Sequence, residues 1–258
     1  MDAFTFAHAE RAERGPYPTM QAFAVSSMDE RWLDQDPAQM VEGFFAYSRE
    51  RFSMILDDLS ALPVSPGIVA EGPQLLPELV APRLDSPQAA VWLFPSGPLQ
   101  SRLLSARPSA VPEHTADPER AREKLTERNA LIARATREAA DERGLAVVEV
   151  DSFEQAGPAI EARLGPLAHV AGTSDAETVR GLRRDENLMV LDQLQRYWAS
   201  PEAPRSGSPR YAFACECSEV GCGETVELDA AEYEQLVAQE RFVSAHPGVP
   251  RWPSRPLG

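Results

Sequence analysis

The sequence predicts an α/β protein: a parallel sheet flanked by helices, followed by a small α+β tail that contains cysteines. Three observations carry that prediction. Short apolar runs bounded by turn residues, at 67–72 (GIVAEG), 89–94 (AAVWLF) and 145–150 (LAVVEV), alternate with long amphipathic stretches, the pattern of buried parallel strands joined by helical crossovers. The chain has 258 residues, 43% of them hydrophobic, enough for one sizeable core and a second small unit. All three cysteines lie between 215 and 222, after a stretch rich in Pro, Ser and Gly.

Each element follows from local chemistry. Asp36-Pro37 joins a capping side chain to a proline suited to the first helical position. Behind it Val41, Phe44, Phe45, Phe52, Ile55, Leu56, Leu59 and Leu62 recur at steps of three and four, which predicts a long amphipathic helix ending near Pro63. Its aromatic stripe is expected in the core, and Asp57 and Asp58 are expected to face solvent. The run at 67–72 predicts a buried strand, 77–84 one short helix, and 89–94 a second strand. Asp117-Pro118-Glu119 opens another helix, carried by Leu125, Ile132 and Ala139 to a stop at Gly144. The run at 145–150 predicts a third strand, ending at Asp151. Pro201, Pro204, Ser206, Gly207, Ser208 and Pro209 form the clearest linker. Beyond it, 211–217 and 225–228 are expected to pair as a hairpin, and Asp229 with Glu232 forms a capping box for a last helix. The domains expected are an α/β domain over 1–168, a helical connector and linker over 169–205, and a small Cys-rich module over 206–258.

Charge narrows the function. Lys+Arg total 25 against Asp+Glu 40, a net charge of −15, which disfavours a non-specific nucleic-acid binder. No apolar run has the length of a membrane span and no basic-then-apolar leader opens the sequence. Three clustered cysteines do not make a disulfide framework, and a reducing cytoplasm is the expected compartment. Lys124 is the only lysine, so any chemistry that needs an amine has one candidate.

The stretches GIVAEGPQLLPELV, AVWLFPSGPLQSRLLSAR and TADPERAREKLTERNALIARATREAADERGLAVVEVD resemble a group of actinobacterial proteins of the P-loop nucleoside/nucleotide-kinase-like class, over roughly residues 1–165. Several of those proteins also end in a module like Cys215-Glu216-Cys217 and Cys222, followed by Val226-Glu227-Leu228 and Glu232-Tyr233-Glu234. The resemblance implies a doubly wound sheet, ATP and Mg²⁺ as cofactors, and phosphoryl transfer to an unnamed small-molecule acceptor. The sequence departs from that class at its centre. It holds no G-x-x-x-x-G-K-[ST] string, whose N–H groups, lysine and hydroxyl would hold the phosphates and Mg²⁺. Two explanations compete: the start lies upstream and the protein is longer, or the phosphate cradle has been lost. Neither makes this polypeptide alone a competent kinase. The alternative is a non-catalytic protein- or ligand-interaction module with a zinc-stabilised tail.

The resemblance also implies where a site would lie. Asp2 would orient an acceptor hydroxyl, and Arg102 and Arg107 fall where kinases of this class place the arginines of a lid. Glu71, at the expected carboxyl end of a parallel strand, would hold Mg²⁺ through water or act as a base. Arg128 and Asp151 would contact the nucleotide, although capping is a simpler role for Asp151, and solvated helix faces for the arginines. In the tail, Cys215 and Cys217 point to one face if extended, and a turn can return Cys222. Three thiolates resemble one side of a zinc site, with His246 as the fourth ligand; reduced, incidental cysteines or a disulfide are the alternatives. In the similar proteins the last histidine follows Pro-Gly, whereas His246 precedes Pro247-Gly248. A metal here would be structural.

Overall fold

The computed structural model describes residues 5–62, 67–106, 111–168, 175–200, 210–219 and 221–246. The chain divides into two compact units: an N-terminal unit, Ala9–Gly172, and a C-terminal unit, Thr173–Gly258 together with Met1–His8. Helix α1 (Thr5–Ala12) carries the chain across the division. Among the described residues no helix is long and apolar enough to cross a membrane.

The N-terminal unit is α/β, with more helix than sheet. Helix α2 (Pro18–Val25) has no side-chain cap of its own; the Glu50 carboxylate accepts the N–H groups of Thr19 and Met20, each at 2.9 Å. Glu50 lies on α4 (Pro37–Ala61), reached through α3 (Met28–Trp32). Helix α4 starts as its sequence predicts: Asp36 accepts from the Gln39 N–H and Gln39 returns the bond to Asp36. Its aromatic stripe is buried only at Phe52; Phe44 and Phe45 are half-buried. An arginine lies over each ring, Arg128 on Phe44 at 5.2 Å, Arg49 on Phe45 at 5.9 Å and Arg83 on Phe52 at 4.9 Å, so cations cover what burial leaves open. Asp57 faces solvent as expected and Asp58 is half-buried; Arg11 bonds to both, at 3.1 and 2.7 Å. Helix α5 (Pro77–Val80) continues as a 3-10 turn over Ala81–Arg83 rather than forming one helix.

Strands β1 (Val91–Pro95) and β2 (Ala146–Val150) pair in parallel, with Val91 opposite Ala146 and Pro95 opposite Val150. Between them run α6 (Gly97–Ala106) and α7 (Pro118–Asp141); α8 (Phe153–Ala168) follows. Helices α7 and α8 both pack on the pair. On α7, Arg137 stacks over Phe94 at 4.8 Å and bonds Glu149 at 2.8 Å, the two residues being partners in the register. Gly144, at φ +63°, ends α7 in the left-handed conformation, with the Leu145 N–H bonded to the Ala140 carbonyl.

The strand expected at 67–72 does not form. Residues 67–71 are exposed and outside any sheet, with Ile68 44% and Val69 72% accessible. Only three apolar residues separate the glycine at 67 from the polar end of the run, too few to bury a strand that glycine already weakens. What docks on the sheet is the next turn, where the Trp92 indole N–H donates to the Leu75 carbonyl at 3.1 Å. The sheet is therefore a two-stranded parallel pair, and no kinase-like multistranded sheet is present among the described residues.

The C-terminal unit places α9 (Ala176–Ala199) against a hairpin of β3 (Tyr211–Ala214) and β4 (Thr225–Leu228), closed by α10 (Ala230–Ala238). The hairpin is antiparallel, Tyr211 facing Leu228 and Ala214 facing Thr225, and Asp229 with Glu232 caps α10 as the sequence predicts. Leu191, Leu194, Phe213, Tyr233 and Val243 form its core, with the Phe213 and Tyr233 rings stacked at 4.3 Å. The helix expected as part of a connector thus supplies two core leucines, and its Gln193 accepts the Phe6 N–H at 2.8 Å.

The only lysine in the sequence is spent on the N-terminal unit: Lys124 Nζ donates to the carbonyls of Leu33 and Gln35 at 2.6 and 2.7 Å, at the joint between α3 and α4. Replacing it leaves two carbonyls without a charged donor, so Lys124→Met is expected to lower stability by about 1.5–3 kcal/mol in urea denaturation, with unchanged slope.

Candidate metal centre

Helix α9 sets the frame. Asp175 caps it by accepting the N–H of Glu177 and the N–H and hydroxyl of Thr178. The Thr178 bonds hold the Asp175 carboxyl below the usual range. This stabilisation is present above the unfolded carboxyl's pKa and is lost as the pH falls through the lowered folded value. Along α9, Arg180, Arg183, Arg184 and Asn187 recur at steps of three and four and so share one face. That face meets the cysteine segment.

Glu216, between two cysteines, is completely buried. Its carboxylate accepts from Arg184 Nη1 at 2.8 Å, Asn187 Nδ2 at 2.9 Å, the Tyr233 hydroxyl at 2.7 Å and the Val243 N–H at 3.0 Å. Its own N–H donates to the Val243 carbonyl at 2.8 Å. Asn187 also bonds both the N–H and the carbonyl of Ala214. Past α10, Glu240 adopts φ +54° and turns the chain back, so that the Arg241 carbonyl accepts from Arg184 and Val243 reaches Glu216. Burial, reinforced by the Glu216 charge, pushes the Tyr233 hydroxyl far above an ordinary phenol, which keeps it a donor.

This network fixes the thiols. Cys215 and Cys217 are buried, Cys222 and His246 half-buried, and the ligand atoms of all four lie within 4.8 Å of one another. Tetrahedral zinc with Zn–S of about 2.3 Å places sulfurs about 3.8 Å apart, so a contraction of about 1 Å or less closes the set. Cys222 Sγ and His246 Nε2 are 3.2 Å apart, which makes Nε2 the histidine's ligand atom. The loop carrying His246 is held by Ser244, whose hydroxyl bonds both the N–H and the carbonyl of His246. Two donors address the sulfurs from outside the set: the Ala245 N–H to Cys215 Sγ and Arg183 Nη1 to Cys217 Sγ, each at 3.4 Å. Burial pushes the Cys215 thiol up, but the N–H groups of Ala245 and Cys217 and the neighbouring thiols outweigh it and hold Cys215 below the ordinary thiol range. For Cys222 the Glu224 N–H pulls downward, yet burial and the other two cysteines raise it. Three close thiols of which one ionises first suit a cation.

The kinase-like candidates are not gathered in this way. Asp2 and Arg107 lie outside the described residues. Glu71 sits on the exposed stretch that forms no strand, so the carboxyl-end position expected for it does not exist. Arg102 and Asp151 do meet, where β2 ends, but Arg102 Nη2 donates to the Asp151 carbonyl at 2.8 Å while the Asp151 N–H donates to Gln155. Arg128 is packed over Trp32 and Phe44, and burial lowers its pKa. Sequence reasoning missed Glu216, Arg183, Arg184 and Asn187. The spacing of the three α9 residues, which sets cations and an amide on one helix face, was the available signal.

Breaking the hub while keeping its shape isolates its worth. Glu216→Gln leaves Arg184 buried without its counter-charge and is expected to destabilise the C-terminal unit by about 3–5 kcal/mol, seen as an early transition in thermal unfolding. No protein family, curated protein or solved structure matches the chain; the geometry of the Cys3His cluster therefore carries the functional reading.

Proposed function

We propose that the chain is a non-catalytic protein- or ligand-interaction module whose C-terminal unit is held by a structural Zn²⁺ on Cys215, Cys217, Cys222 and His246. The convergence of those four ligand atoms within 4.8 Å carries the reading. Three thiolates and an imidazole are a soft donor set that suits zinc. Four protein ligands leave no open position for substrate or water, the mark of a structural rather than a catalytic site. The thiols require a reducing surrounding, which favours the cytoplasm.

The non-catalytic half rests on how the cations are used. Lys124 holds carbonyls, Arg102 holds the end of β2 and Arg128 covers aromatic rings, so the groups that would neutralise phosphate serve packing. The parallel β1–β2 pair supports the α/β class; a kinase-like origin rests on the sequence resemblance alone. Phosphoryl transfer, ATP and Mg²⁺ gain no support from the geometry.

Metal analysis of the full chain purified in reductant is expected to find one zinc per chain, and Cys217→Ser to lose most of it. Chelation should abolish the folding of the C-terminal unit, read by the loss of its thermal transition. Zinc well below stoichiometry in the parent chain would overturn the metal. Calorimetric titration with ATP·Mg is expected to give no heat; micromolar affinity would overturn the non-catalytic half.

A further inference from the structure

Two consecutive arginines on α9 serve two different sets of acceptors. Arg184 is consumed by the buried Glu216 carboxylate. Arg183, half-buried, turns its planar fork to the cysteines: Nη1 donates to the Cys217 carbonyl at 2.8 Å and to Cys217 Sγ at 3.4 Å, and Nη2 donates to the Cys222 carbonyl at 2.8 Å. It thus spans both arms of the turn that brings the thiols together. The third arginine of the face, Arg180, is stacked over the Phe242 ring at 5.0 Å.

We propose that Arg183 is the outer-sphere positioning residue of the metal centre: it offsets the centre's charge and keeps the Cys217 sulfur a ligand instead of a nucleophile. The inference rests on the zinc reading above. A divalent ion with three thiolates and a neutral imidazole carries one net negative charge, and thiolates so bound remain electron-rich. A guanidinium N–H directed at one of them engages a sulfur lone pair and cancels that charge in partly dehydrated surroundings. The same fork fixes two carbonyls, which sets the spacing of Cys217 and Cys222; an ammonium could supply the charge but not this two-pronged bond.

Zinc-loaded full chain tests it through the chemistry of the sulfur. Iodoacetamide forms an S–C bond as its C–I bond breaks and iodide leaves; the thioether is a poor ligand, and the zinc set free is read with a colorimetric chelator. Arg183→Met is expected to release zinc at least about tenfold faster than the parent chain and to bind zinc about 10–100-fold more weakly in chelator competition. In the cobalt-substituted protein its sulfur-to-metal charge-transfer band should move to longer wavelength, because an unbonded sulfur holds its electrons less tightly. Arg183→Lys should recover part of the affinity, and Arg180→Met should leave rate and band at parent values. Arg183→Gln, which keeps an N–H donor but no charge, is expected to behave as Arg183→Met and replaces it if that variant does not fold. A zinc-loaded parent whose uncharged variants release zinc at the parent rate, with the cobalt band unmoved, would overturn the role of Arg183 alone. A parent that binds no zinc would overturn the zinc reading as well.

Discussion

A carboxylate removed entirely from water must find its solvation inside the protein, and the C-terminal unit is arranged to supply it to Glu216. Four donors from three different elements converge on its two oxygens. Because an unpaired buried charge would be costly, the fold holds only when α9, α10 and the returning segment at Val243 are all in place. The hub acts less as a source of net stability than as a selector of one arrangement. Its position in the sequence matters most: the residues on either side of Glu216 are cysteines, so fixing the carboxylate also fixes the backbone that carries two of the thiols.

The remaining donors complete the centre from other directions. The hairpin turn returns Cys222, and the Ser244 hydroxyl sets the loop that delivers His246. Arg183 joins the two cysteine segments through their carbonyls. A small hydrophobic cluster around Phe213 and Tyr233 backs this polar framework. In so small a unit a metal staple would add to what the core supplies. The N-terminal unit solves a different problem, with a short parallel pair and long helices whose half-buried aromatics are covered by arginine.

Much of this was legible in local chemistry. Asp36-Pro37, Asp117-Pro118 and Asp229 with Glu232 mark helix starts because a capping oxygen and a preset proline act within one turn, with no help from tertiary contacts. The runs at 89–94 and 145–150 carry enough β-branched and aromatic residues to be strands wherever they pack. The run at 67–72 has similar residue types but only three apolar side chains, and whether so short a segment pairs depends on neighbours that local pattern does not show. The cysteine spacing and His246 suggested a metal, and the structure adds what spacing alone could not: that the four ligand atoms converge within 4.8 Å of one another. The role of Glu216 was hidden because a charged residue between two candidate metal ligands reads as a side chain turned to solvent. Only the matching cationic face on α9, far away in sequence, reveals it as buried. Arg102 and Arg128 are engaged by a carbonyl and by aromatic rings: a guanidinium serves these as well as phosphates, and composition cannot distinguish the uses.

The central claim is that one ion joins Cys215, Cys217, Cys222 and His246, and X-ray absorption at the zinc edge of the purified full chain tests it most directly. A first shell of three sulfurs at about 2.3 Å and one nitrogen at about 2.0 Å is expected. A shell dominated by oxygen and nitrogen, or one with sulfur in fewer than three positions, would contradict it.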